Sequence, residues 1–322
     1  MPAQSSNPTT HQPTLHGVVP IIPTPFVSET EKVDFDALRQ LVDFAATIGS
    51  SGICLNAYMS DFQKLSDSER FRTVEVAVQQ ANGRVSVIAQ LYHPSVRIAQ
   101  EIARHNETLG ADLISFTIPR IVTLGTEEVL EYCETICQAV NVPVLIQDQN
   151  PNGPTVGPEF CKQLHETSPN FRYLKLEEPL MFRVGPKILA IREATAGEVG
   201  VLEGRSGLYL LDLLPYGICG SMPGLGMADV LAHVWRLGEQ HRLDEAMDVF
   251  QRIVPQLIFG LQDMGLFLHV EKRLLVARGL LRQATDRRIT FIPSPELVTH
   301  GDFLNQRVLK VVADLQLDQT RL

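Results

Sequence analysis

Short apolar runs alternate with amphipathic stretches along most of the chain. The runs are "GVVPIIP" (17–23), "GICLNA" (52–57), "VSVIAQL" (85–91), "DLISFTI" (112–118), "VPVLIQD" (142–148), "FRYLKLE" (171–177), "GVLEG" (200–204) and "GICGSM" (217–222). They are continuously apolar, as strands covered on both faces must be. Between them lie patterns of helical period such as "DFDALRQLVDFAATIG", "PSVRIAQEIARHNETLG" and "TEEVLEYCETICQAV", each long enough for a crossover between parallel strands. Eight strand–helix units predict a (β/α)8 TIM barrel spanning 15–224. A doubly wound open sheet is the alternative, but no G-x-G-x-x-G follows any strand to support a dinucleotide-binding version. After Met222 the strand signal stops, and 225–322 reads as consecutive helices: a C-terminal helical region that begins with the eighth barrel helix and packs on the barrel.

Composition narrows the picture. The 322 residues are 44% hydrophobic, enough for a sizeable core. A net charge of -9 argues against nucleic acid as partner. The densest basic stretch, "EKRLLVARGLLRQATDRR" (271–288), reads as a solvated helix face. Five cysteines without a CxxC pair suggest neither a disulfide framework nor a zinc site, so no metal is expected. Residues 1–14, "MPAQSSNPTTHQPT", read as a disordered tail and not as a signal peptide. No apolar run approaches the roughly 20 residues of a membrane span, so a soluble, cytoplasmic protein is expected.

One strand carries an anomaly. "RYLKLEEP" places Lys175 inside an apolar run and follows it with Glu177 and Glu178. Lysine is rarely buried without a reason; it is either paired to a carboxylate or used as an amine nucleophile. Side chains two apart share a strand face, so Lys175 and Glu177 point together while Glu178 turns away. In a barrel, working groups gather at the carboxyl ends of strands. There "VLIQDQNPNGP" supplies Gln147, Asp148 and Gln149, and "NAYMSDFQKLSDSER" supplies Tyr58, Met59, Ser60 and Asp61 ahead of a Ser66–Glu69 capping box. "QLYHP" supplies His93, and "EGRSG" and "GICGSMPG" supply small residues that admit a ligand close to the backbone.

Taken together, these segments resemble the pyruvate-aldolase superfamily typified by dihydrodipicolinate synthase and N-acetylneuraminate lyase, over about residues 15–300. "GVVPIIPTPF" is similar to its first-strand motif ending in Thr24-Pro25-Phe26, "YLKLEE" to its Schiff-base strand, and "GICGSM" to its last-strand glycine motif. The resemblance implies that Lys175 forms the imine, with no cofactor. Ala57-Tyr58-Met59-Ser60-Asp61 stands where typical members have G-T-T-G-E, Gln147-Asp148 stands where they have a proton-relaying tyrosine, and Pro119-Arg120-Ile121 replaces P-Y-Y. The combination of Glu177, Gln147, His93 and Glu203-Gly204 instead resembles the L-2-keto-3-deoxyarabonate dehydratase branch. That branch implies a hydro-lyase in which Lys175, Glu177 and Gln147 are catalytic, while Tyr58, Met59, Ser60, His93, Glu203, Gly204 and Gly220 contact a small 2-oxoacid. The resemblance also implies a homo-oligomer, dimer or tetramer. The alternatives are an aldolase, synthase or deaminase of the superfamily, or a non-catalytic 2-oxoacid-binding homologue.

Overall fold

The computed structural model describes residues 14–120, 124–151, 153–289 and 291–317; the expected tail lies outside them except for its last residue. Eight parallel strands are present: β1 (Gly17–Val18), β2 (Gly52–Leu55), β3 (Ser86–Leu91), β4 (Leu113–Thr117), β5 (Val144–Gln149), β6 (Phe171–Glu177), β7 (Gly200–Glu203) and β8 (Gly220–Ser221). Neighbours pair in the order β1-β8-β7-β6-β5-β4-β3-β2. Backbone bonds from Ile22 N to Cys54 O (2.9 Å) and from Cys54 N to Pro20 O (3.0 Å) join the two ends. The sheet is therefore a (β/α)8 TIM barrel, and the open-sheet alternative is excluded.

The helices α1 (Phe35–Thr47), α2 (Asp67–Ala81), α3 (Val96–Thr108), α4 (Thr126–Cys137), α5 (Pro158–Thr167), α6 (Val184–Ala194), α7 (Leu210–Leu213) and α8 (Ala228–Glu239) follow the successive strands. The Ser66–Glu69 capping box opens α2 as expected. Four more helices come after them: α9 (Leu243–Phe250), α10 (Val254–Gly260), α11 (Met264–Ala277) and α12 (Pro295–Asp314). Among the described residues, no helix is long and apolar enough to cross a membrane.

Strand alternation sorts the side chains into two cores. Ile53, Val87, Ile114, Ile146, Leu174, Leu176 and Val201 point outward and join the helices in the larger core. Cys54, Ile88, Leu113, Leu145, Tyr173 and Leu202 point into the lumen and fill its lower part. Further toward the carboxyl ends, the inward positions become Gln90, Thr117, Gln147 and Lys175, all buried. An apolar floor thus carries a polar layer at the end of the barrel where substrates bind in this architecture.

The solvated face expected over 271–288 is found only in part: Arg282 and Arg288 are exposed. Glu271, Lys272 and Arg278 are buried, because the segment lies between the barrel mouth and the other C-terminal elements. Lys272 Nζ reaches Asp61 Oδ2 (2.7 Å) and Asp286 Oδ1 (2.9 Å) and sits over the Phe26 ring. Arg278 forms a bidentate pair with Asp229. These charges are internal ties, satisfied as buried charges must be.

Glu271 differs from them. Burial pushes its carboxyl up to about 7 from 4.5, against the smaller opposing effects of the Gly226 amide and of Arg278. Between these values the folded state holds a proton that the unfolded state has lost, so stability falls as pH rises through the window. Glu271→Gln keeps an acceptor for the Gly226 amide and removes that slope. Urea titrations should find the variant more stable than wild type at pH 8 by on the order of 2–3 kcal/mol, and near parity at pH 4.5.

Candidate active site

The polar layer opens into a cavity of about 230 Å³, walled by the ends of β5 and β6, the loops after β2 and β7, and the segment entering α11. Lys175 and Glu177, successive inward residues of β6, bring Nζ and Oε1 to 3.1 Å. They are 3% and 8% exposed, which makes an amine and a carboxylate side by side at the cavity floor. Register sets Gln147 beside Lys175 and Gln149 beside Glu177.

Gln147 donates from Nε2 to Glu177 Oε1, and its own Oε1 accepts from Gln90 Nε2 at 2.6 Å. Gln90 Nε2 also donates to Thr117 Oγ1 (3.0 Å), and its Oε1 accepts the weak Cys54 S–H at 3.5 Å. Burial pushes that thiol up to about 12, so Cys54 stays protonated. The chain of amides fixes the carboxylate of Glu177 from behind. Gln147 therefore acts on Glu177 as much as on anything in the cavity, a refinement of its expected role.

The loop after β2 contributes Tyr58 and Met59 to the wall. Tyr58 packs edge-on against Phe62 and tilts against Tyr92. Burial, with smaller effects from Tyr92 and Glu177, pushes its phenol up to about 12; it faces the cavity as a protonated hydrogen-bond donor. Asp61, fully buried, anchors this loop by its ion pairs to Lys64 (2.9 Å) and Lys272.

Four expected contacts do not line this cavity. Ser60 does not line the cavity; its amide closes the turn onto Ala57 O and its carbonyl accepts from Thr24 Oγ1. His93 lies past the end of β3, where Nδ1 accepts the Ser95 amide (3.0 Å) and the backbone carbonyl accepts Tyr132 Oη (2.6 Å), so it serves a turn and not the cavity. Gly220 lies where β8 meets β1: a Cβ there would stand 2.3 Å from Gly17 O, so the glycine permits strand contact. Glu203 is buried and also off the cavity wall; it accepts from the amides of Arg205 and Gly207 and from Ser221 Oγ, each at 2.7 Å, and shapes the loop. Burial raises its carboxyl.

Asp148 and Glu178 alternate outward. Asp148 holds Arg120 and the Val156 amide, and Glu178 holds Lys187 (2.6 Å) and Thr155. The structural role expected of Glu178 follows from this placement.

A model of the dihydrodipicolinate synthetase family matches residues 14–255, well over half of the chain. The chain belongs to the dihydrodipicolinate synthetase family. Among similar proteins, L-2-keto-3-deoxyarabonate dehydratase of Azospirillum brasilense is 24% identical over 288 residues, 88% of this chain and 90% of the relative. A 4-hydroxy-tetrahydrodipicolinate synthase of Methanococcus maripaludis is 27% identical over 221 residues, 68% and 71%. The dihydrodipicolinate synthase structure from Rhodopseudomonas palustris has the same fold, with TM-score 0.83 and 24% identity over 91% of this chain and 97% of that one. Members of the family are lyases and synthases that act through a Schiff-base lysine, and this chain is a lyase of that family.

Within this family member, the cavity also takes residues that strand patterning does not point to. Arg205 and Ser206 line it from the loop after β7, and Leu261, Gln262, Asp263, Met264 and Phe267 line it from the far side. Gly204 is also required there: a Cβ would come within 2.5 Å of Glu177 Cγ and 2.9 Å of Leu176 O. The carbonyl belongs to strand β6, so Glu177 must shift. Gly204→Ala should lower kcat by about 10²-fold, the scale of a misplaced reacting group, with circular dichroism unchanged.

Proposed function

We propose that the protein is a Schiff-base hydro-lyase that dehydrates a 2-keto-3-deoxy sugar acid, L-2-keto-3-deoxyarabonate to 2-oxoglutarate semialdehyde, as a homo-oligomer. The observation that carries this reading is the placement of Glu177 Oε1 3.1 Å from Lys175 Nζ, held by Gln147 at the position where a relay tyrosine would stand.

Lys175 attacks the C2 ketone, and loss of water leaves an iminium that draws electrons from C3. Glu177 takes the C3 proton and returns it to the departing C4 hydroxyl, which leaves as water. The new C3–C4 double bond tautomerises to the C5 aldehyde, and hydrolysis of the imine frees Lys175. One water is lost overall and no redox partner is needed. No C–C bond is cleaved or formed, so the proton relay that accompanies an aldol step is not needed and glutamine suffices where an aldol reaction would use a tyrosine.

The second reading, an aldolase or synthase, is favoured by the 4-hydroxy-tetrahydrodipicolinate synthases among the relatives. Nuclear magnetic resonance of the products separates the two. Dehydration gives 2-oxoglutarate semialdehyde, whereas pyruvate with glycolaldehyde would replace our reading with an aldolase.

A further inference from the structure

Most buried or half-buried arginines of this protein have carboxylate partners: Arg278 pairs with Asp229, Arg120 with Asp148 and Arg287 with Glu69. Arg205 is the exception within the cavity. Its Nε is buried with no hydrogen-bond partner, and among the described residues no carboxylate pairs with its guanidinium. The neighbouring Ser206 Oγ is likewise buried and unpartnered, on a backbone with φ of +59°, a left-handed conformation unusual for serine. Both residues line the cavity that holds Lys175.

The acidic groups on the same wall are already engaged. Glu177 is held by Lys175 and Gln147, and Asp263 caps α11 by accepting the Gly265 and Leu266 amides. Glu203, directly before the loop, spends its oxygens on backbone amides and Ser221, and so holds Arg205 and Ser206 in place. Buried donors left without acceptors are costly, and strained backbone clusters where a ligand compensates for it. A guanidinium is a permanent cation whose planar fork matches a carboxylate.

We propose that Arg205 and Ser206 form the carboxylate clamp of the cavity, binding a carboxylate of the 2-oxoacid whose ketone meets Lys175. This rests on the imine reading for the ketone, though not for the clamp itself. The carboxylate is either the one adjoining the ketone, which the sugar acid proposed above carries, or a distal one, which only a dicarboxylic 2-oxoacid carries and which would replace that substrate.

Borohydride trapping with pyruvate, which has one carboxylate, and 2-oxoglutarate, which has two, distinguishes these sources. Arg205→Gln should raise the half-saturating concentration roughly 10- to 100-fold, and Arg205→Lys, which keeps a point charge, by less. An equal rise for both acids assigns the adjoining carboxylate; a rise for 2-oxoglutarate alone assigns the distal one. Unchanged values for both acids in folded Arg205→Gln overturn the clamp. Lactate and 2-hydroxyglutarate cannot form an imine, so calorimetric titration with them tests the clamp even if wild type yields no adduct. Weaker binding to Arg205→Gln supports it, and equal binding to wild type and variant refutes it.

Discussion

Lys175→Ala should abolish both imine formation and turnover. Lys175 sits at the cavity floor with Nζ 3.1 Å from Glu177, and among the described residues no other lysine lines the cavity. Loss of the amine leaves no electron sink for C3, and the rate should fall to that of the uncatalysed reaction. Breaking a buried ion pair also costs about 3–5 kcal/mol of stability, so a thermal melt belongs beside the assay. Lys175→Arg separates the two roles, because it keeps the positive charge but cannot form an imine. A purely structural lysine would leave Lys175→Arg active; our account expects it folded and inactive.

Glu177→Gln should retain imine formation and lose about 10²- to 10⁴-fold in kcat, the usual worth of a positioned base. The side chain keeps its shape and can still accept from Gln147, so the loss reports on proton transfer rather than packing. Single-turnover measurements should show imine accumulation followed by slow dehydration. Normal turnover by the variant would remove Glu177 from the reaction and leave it as a counterion of Lys175.

Much of the site was legible because strand geometry is simple. With a period of two, the inward positions of β6 are Tyr173, Lys175 and Glu177, and those of β5 are Leu145, Gln147 and Gln149. The same rule sends Asp148 and Glu178 outward, where the structure pairs them with Arg120 and Lys187. It fails where the strand has ended. His93 lies two residues past β3, and the turn it makes with Ser95 has no periodicity from which to infer its direction. Gly220 carried a ligand-approach reading, but the approaching backbone is Gly17 of the neighbouring strand.

The reading of 271–288 as a solvated face holds for Arg282 and Arg288 but not for Glu271, Lys272 and Arg278. Charged residues at helical spacing suggest water on one side, yet the partners that bury Lys272 and Arg278 are Asp61 and Asp229, far away in the chain. For the same reason the wall formed by Leu261 to Phe267 had no local signal: it meets Lys175 only after the C-terminal helices fold back over the barrel mouth. Arg205, by contrast, stood in the "EGRSG" segment directly after β7, in view but without a reason to single it out until its guanidinium was found to lack a carboxylate partner.

The central claim is that Lys175 is a working amine. Borohydride reduction of the wild-type protein with pyruvate or a 2-keto-3-deoxy acid, followed by peptide mass mapping, tests it most directly. The account predicts one covalent adduct, on the peptide that contains Lys175; no adduct, or an adduct on another lysine, would contradict it.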